Sequence, residues 1–174
     1  MKKAINAQKP LTQLIEDEKI PNTQLAVELN YSNSAISRIK VGDRAMSQET
    51  AKESMLIHDN AKYIAGITHE FTDGFTPPVL DGIGFDMHRL VLLNQFKNQE
   101  KEVYALLQQV DFSKMPSEID EKNLKDITDV MDGLLTLRFF LENSVIQLQQ
   151  DYEISIKKRM RALMLHWKMK GWLK

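Results

Sequence analysis

Cysteine is absent from the 174 residues. That removes disulfides, thiolate metal sites and thiol nucleophiles, and it suits a reducing cytoplasm. No apolar run approaches the roughly 18 residues of a membrane span. Met1-Lys2-Lys3 has no apolar stretch behind it, so a signal peptide is not expected and a cytoplasmic location is. Strict apolar/polar alternation is missing too, which argues against a sheet and for an all-α chain. The signatures of catalysis are equally sparse. His58, His69, His88 and His166 show no metal-ligand spacing and read as surface or helix-end residues. Asp81-Gly82-Ile83-Gly84 lacks the Lys-Ser/Thr of a phosphate loop and reads as a turn. Asp126, Asp129 and Asp132 lie three apart, as on a solvated helix side. No enzyme activity, metal or cofactor is expected.

Charge is present but unevenly placed. Residues 1–60 carry eight Lys/Arg and eight Asp/Glu, residues 61–156 carry eight and sixteen, and residues 157–174 carry seven and none. A neutral head, an acidic middle and a basic tail suggest either separate tasks or a tail folded back on the middle.

The head reads as short helices divided by tight turns. Leu11, Leu14 and Ile15 share one helix side, and Ile20-Pro21 precedes a second helix from Asn22 to Leu29. Asn30 tolerates the left-handed backbone of a sharp turn, and Ser32 is a good cap for a third helix, Asn33 to Val41. Ile36 and Ile39 point inward, and Gly42 ends that helix. Met46-Ser47 opens a fourth, with Ser47 as cap and Met46 stapled onto Ala51.

Three strings stand in a particular order: Gln24-Leu25-Ala26, then Leu29-Asn30-Tyr31-Ser32, then Ala35-Ile36-Ser37-Arg38-Ile39. Gly42, Arg44 and Ser47 follow them. Over about residues 11–58 this resembles the Cro/repressor-type (Xre-like) helix-turn-helix family. The resemblance implies a bundle of four to five helices whose third helix enters the major groove of double-stranded DNA. It places base contacts at Asn33, Ser34, Ser37 and Arg38, and Ser32, Lys40 and Arg44 near phosphates. The chemistry agrees, since Asn and Arg can pair bidentately with adenine and guanine edges. Protein contact by the same bundle is the competing use.

Glycine and proline gather at residues 66–86, where Gly66, Gly74, Gly82, Gly84, Pro77 and Pro78 fall. The expected layout is therefore a DNA-binding domain over 1–62, a linker or ordered loop over 63–86, and a long-helix domain over 87–174. Within the last, Met87 to Val110 reads as one helix, carrying Leu93, Phe96, Val103 and Leu107 on one side. A second helix follows the break at Asp111 to Pro116, with Ser117 and Asp120 at its start and Gly133 as a possible kink. Ile127, Met131, Leu134, Arg138, Leu141, Val145, Leu148 and Tyr152 alternate four and three apart, a coiled-coil-like seam with one polar exception. Leu135, Leu137, Phe139, Phe140 and Ile146 add a second apolar face. An antiparallel hairpin that dimerises or trimerises along its free face satisfies both.

The tail, residues 156–174, is a basic amphipathic helix. The favoured expectation is that Met160 and Trp167 finish the hairpin core while the lysines pair with the acidic middle. Partner, nucleic-acid and membrane binding follow in that order, with a membrane role last. The expectation for the whole is a bacterial or phage-type transcriptional regulator, most commonly a repressor, acting as a homo-oligomer. The rival is a prophage-type adaptor or antagonist docking on a host protein.

Overall fold

The computed structural model describes residues 3–82 and 84–174. Met1 and Lys2, and Ile83 of the expected glycine turn, lie outside them. The chain is all-α, apart from one two-residue strand pair. In order it has β1 (Ala4–Ile5), α1 (Gln8–Glu18), α2 (Asn22–Glu28), α3 (Asn33–Lys40), β2 (Met46–Ser47), α4 (Gln48–Ile57) and α5 (Ala61–Phe71). Then come α6 (Arg89–Leu107), a 3-10 turn (Pro116–Glu118), α7 (Glu121–Tyr152) and α8 (Ile156–Met169).

The chain divides into two compact units. The first joins Met1–Val79 to Gln149–Lys174, and the second is Leu80–Leu148. The expected boundaries differ from these in two respects. Residues 63–71 are not linker but most of α5, because Tyr63, Ile67 and Phe71 recur at helical spacing and are buried. The tail belongs with the head rather than with the long-helix domain.

In the first unit Leu11, Leu14, Leu25, Ile36, Ile39, Met46, Tyr63 and Ile67 fill one core. Each such side chain, removed from water, contributes about 1.5–3 kcal/mol. Polar caps fix where the helices begin. Ser32 Oγ accepts from the Ala35 N–H at 3.1 Å, Ser47 Oγ from Thr50 at 3.2 Å and Asn60 Oδ1 from Tyr63 at 2.9 Å. Asn30 takes the left-handed conformation its position in the turn requires, φ 51°. Met46 and Ser47 precede α4 as expected, but as a strand. Ala4 pairs with Ser47 and Ile5 with Met46, antiparallel. A pair this short has no room for the alternation that marks strands.

The second unit is built on α6 and α7. Asp120 Oδ1 accepts from the Asn123 N–H at 2.7 Å and so caps the start of α7. These hydrogen bonds to Asn123 hold the exposed Asp120 carboxyl below its usual range. Gly133 does not break the helix, which runs from Glu121 to Tyr152. Instead it lets α6 come close: a Cβ there would sit 3.2 Å from both Val103 Cγ2 and Leu106 Cδ1. Further along, Phe85 lies 6.2 Å from Phe140 between ring centroids, and the Leu80 N–H donates to Asn143 Oδ1 at 2.7 Å. Residue numbers thus rise on one side of these pairings as they fall on the other. The expected α6 side was only partly legible: Val103 is buried, Leu93 and Phe96 are half-buried and Leu107 is exposed, while Leu92, outside that side, is buried.

Candidate nucleic-acid interface

The arrangement at α2 and α3 follows from local chemistry. After α2, the Tyr31 N–H donates to Ala26 O at 2.8 Å, closing the turn over the small side of Ala26. Ser32 then stands extended and caps α3. With the helix started there, the 3.6-residue period turns Ala35, Ile36 and Ile39 into the core. The same period leaves Asn33, Ser34, Ser37 and Arg38 exposed on the opposite side, and Ser32 is exposed at its start. That side is open to solvent along its length.

Of the expected phosphate-side residues, Arg44 is exposed, and its guanidinium carbon lies 5.0 Å from the centroid of the Tyr31 ring. The Tyr31 hydroxyl is itself hydrogen-bonded with Thr50 Oγ1 at 2.8 Å. The ring therefore offers Arg44 a fixed platform, a cation–π contact of about 0.5–1 kcal/mol at an exposed site. Lys40 is half-buried and donates weakly to Asn22 Oδ1 at 3.5 Å, tying the end of α3 to the start of α2. Six of the seven expected residues thus stand exposed around α3. Lys40 is partly engaged in holding the two helices together.

At the end of α4 a buried histidine meets carboxylates of two other helices. His58 Nδ1 is 3.0 Å from Glu18 Oε2 of α1, and Nε2 is 3.3 Å from Glu28 Oε2 of α2, the latter without hydrogen-bond alignment. Sequence reasoning took His58 for a surface or helix-end residue; it stands at the end of α4 but is buried, and the two carboxylates around it were not foreseen. Their positions, 40 and 30 residues away, leave no local signal. Nearby, burial pushes the Tyr63 phenol up to about 12, with its hydrogen bond to Ser54 (2.7 Å) working in the opposite direction.

The larger surprise is the tail. Lys157 Nζ donates to the carbonyl oxygens of Met55 and of His58 (3.1 Å), at the carboxyl end of α4. Carbonyls at a helix end lack helical partners, and a cation is favoured beside them. Ser155 bonds the Asp59 carboxylate, and Gln149 accepts from the Ala61 N–H (2.6 Å) while donating to Asp59 O (3.0 Å). Here α8 begins, capped by Ser155 Oγ through the Lys158 N–H at 3.1 Å. The expectation that Met160 and Trp167 complete a core is overturned: no residue of α8 is buried, and Met160 is 45% exposed. The expected pairing of the tail lysines with the acidic middle is not what anchors the tail either. Lys157 anchors it, and its partners are backbone carbonyls of the head. Where tail and head meet there is a cleft of about 490 Å³ lined by Asp17, Glu18, Asp59 and Glu153 with Gln149 and Gln150. Its carboxylates would repel phosphate.

No protein-family model matches the chain, and neither a curated protein nor a solved structure does. The likeness to the helix-turn-helix family therefore rests on the residues quoted above alone. Among the described residues, no helix is long and apolar enough to cross a membrane.

Proposed function

We propose that the chain is a sequence-specific DNA-binding transcriptional regulator that acts as an oligomer, with repression by occlusion as its commonest mode. The observation that carries this reading is the bare polar side of α3, from Ser32 to Arg38, held by a cap and a buried apolar side. A rigid helix with free Asn, Ser and Arg side chains is what reading base edges in the major groove requires. In this reading Asn33, Ser34, Ser37 and Arg38 meet bases, and Ser32 and Arg44 meet phosphates. Arg38→Ala should cost about 1–3 kcal/mol at a cognate site and relax base preference at one position. The test is selection of binding sequences from random duplex DNA with the purified chain, followed by affinity measurements on the Arg38→Ala variant. Recovery of no preferred sequence would sink the reading.

Oligomerisation draws its support from α7. Met131 (59%), Leu134 (46%), Leu135 (52%) and Leu141 (48%) are exposed along the predicted seam and the apolar position beside it. A two-fold assembly along that stripe would bring two heads together, as paired half-sites need. The same stripe also favours the second reading, an adaptor or antagonist that docks a host protein there. A chain that sediments as a monomer at micromolar concentration and ignores duplex DNA would favour the adaptor.

A further inference from the structure

The eighteen residues from Lys157 to Lys174 hold seven Lys or Arg and no acid. Lys157 is engaged with α4 carbonyls, and Lys158, Arg159, Arg161, Lys168, Lys170 and Lys174 are exposed. Helical geometry distributes the rest of α8 unequally. Ile156, Leu163 and Trp167 recur on one side and are half-buried. The cations Lys158, Arg159, Arg161 and Lys168 fall around the remaining arc, which faces solvent, and Lys170 follows at the helix end. Met160 and Met164 on the apolar side are each 45% exposed, and Leu165 and Met169 stand exposed among the cations. What sets the helix apart is its charge, all of one sign.

The tail's place in the first unit changes that unit's charge. Residues 1–60 are neutral, but Met1–Val79 together with Gln149–Lys174 carries sixteen Lys/Arg against twelve Asp/Glu, net +4. A duplex-reading unit draws most of its sequence-independent affinity from neutralised phosphates, and α3 alone offers few cations for that. The bonds from Ser155, Lys157 and Gln149 hold the start of α8 on the α4–α5 corner. The basic helix is thus tied to the reader at its start.

From this we infer that α8 is a phosphate-backbone clamp: its outward cations grip duplex DNA beside the site that α3 reads. The inference rests on the DNA-binding reading and adds to it the source of the affinity. Lys158, Arg159, Arg161, Lys168 and Lys170 contact phosphate oxygens as point charges or forks and carry no base information.

The test compares the full chain, a five-site variant (Lys158→Gln, Arg159→Gln, Arg161→Gln, Lys168→Gln and Lys170→Gln) and Arg38→Ala. Each is titrated, across about 0.05–0.3 M salt, with a duplex recovered by selection and with an unrelated duplex. The five-site variant is expected to lose about ten-fold or more in affinity on both duplexes. Its salt slope should be shallower by about 0.9 for each phosphate that is no longer neutralised, with its base preference intact. Arg38→Ala should show the reverse, relaxed preference with a slope changed by about 1 at most. If the full chain binds duplex and the five-site variant keeps both its affinity and its slope, the clamp is wrong and the reading of α3 stands. If the full chain binds no duplex, both fall. A second readout does not depend on the variant's folding. The chain's two tryptophans, Trp167 and Trp172, both lie in this tail, so their emission should change when duplex is added to the full chain. A response to phosphatidylglycerol vesicles with none to duplex would overturn the clamp in favour of a lipid surface.

Discussion

In the first unit fifteen apolar side chains from β1, α1 to α5 and β2 and their connections converge on one buried cluster. In the second, Leu92, Val103, Val130 and Ile146 are the buried apolar residues among those described. Leu90, Tyr104, Leu124, Met131, Leu134, Leu135, Leu141 and Val145 are exposed there. The second unit is the smaller, but the contrast comes mainly from arrangement. Several short helices can surround a centre on all sides. Two long helices cover one side of each other and leave the far sides open. The first unit therefore carries its own core, and the second has apolar surface to give to another molecule.

The comparison can be broken or sharpened by experiment. Ile36→Ala, at the centre of the closed core, should destabilise the first unit by about 2–5 kcal/mol, read as a lower midpoint in denaturant unfolding. An unfolding midpoint that does not move would mean that the core is looser than its burial implies. Alkaline titration probes the same core. Tyr63 is raised to about 12 when folded, from the ordinary value of 10.0. The unfolded chain therefore releases its proton first, and stability present below pH 10 should fall by about 2–3 kcal/mol as pH rises toward 12. In Tyr63→Phe that slope should be absent from the pH dependence of melting. In the second unit, Gly133→Val should cost about 1–3 kcal/mol by forcing α6 and α7 apart, visible as an earlier loss of helical circular dichroism. An unchanged melting curve would show that the close approach is not maintained in solution. The smallest stability effect is expected from Leu134→Ser with Leu141→Ser, within about 0.5 kcal/mol for a single chain because both side chains are exposed. The same pair should abolish oligomerisation in sedimentation velocity. If the wild type is already monomeric, the open face serves a different molecule.

Much of the first unit was legible because local rules and packing agree there. Ser32, Ser47 and Asn30 announce caps and a turn by residue type alone, and Ile36 and Ile39 set which side of α3 is bare. The strand pair was not legible, since Ala4 and Ser47 are joined by two-residue strands with no period to detect. Helix α5 was obscured by Gly66, which reads as a breaker. In the structure a Cβ there would approach Pro10 Cγ to 3.1 Å, so the glycine belongs to the α1–α5 contact. Of the residues buried on α7, only Ile146 belongs to the two faces expected from spacing; Val130, Gly133, Asn143 and Ser144 belong to neither. Gly133 is small enough for α6 to approach there. The attachment of the tail depends on partners about a hundred residues away, Lys157 with Met55 and Ser155 with Asp59. No window along the sequence contains both ends of such a bond.

Because residues 149–174 return to the unit that residues 1–79 begin, the second unit is an insertion within the first. On a ribosome making this chain, the whole of Leu80–Leu148 emerges before Lys157 can meet the end of α4. During synthesis the carbonyls of Met55 and His58 must therefore wait on water. The head is completed last, after the inserted helices have had the opportunity to fold.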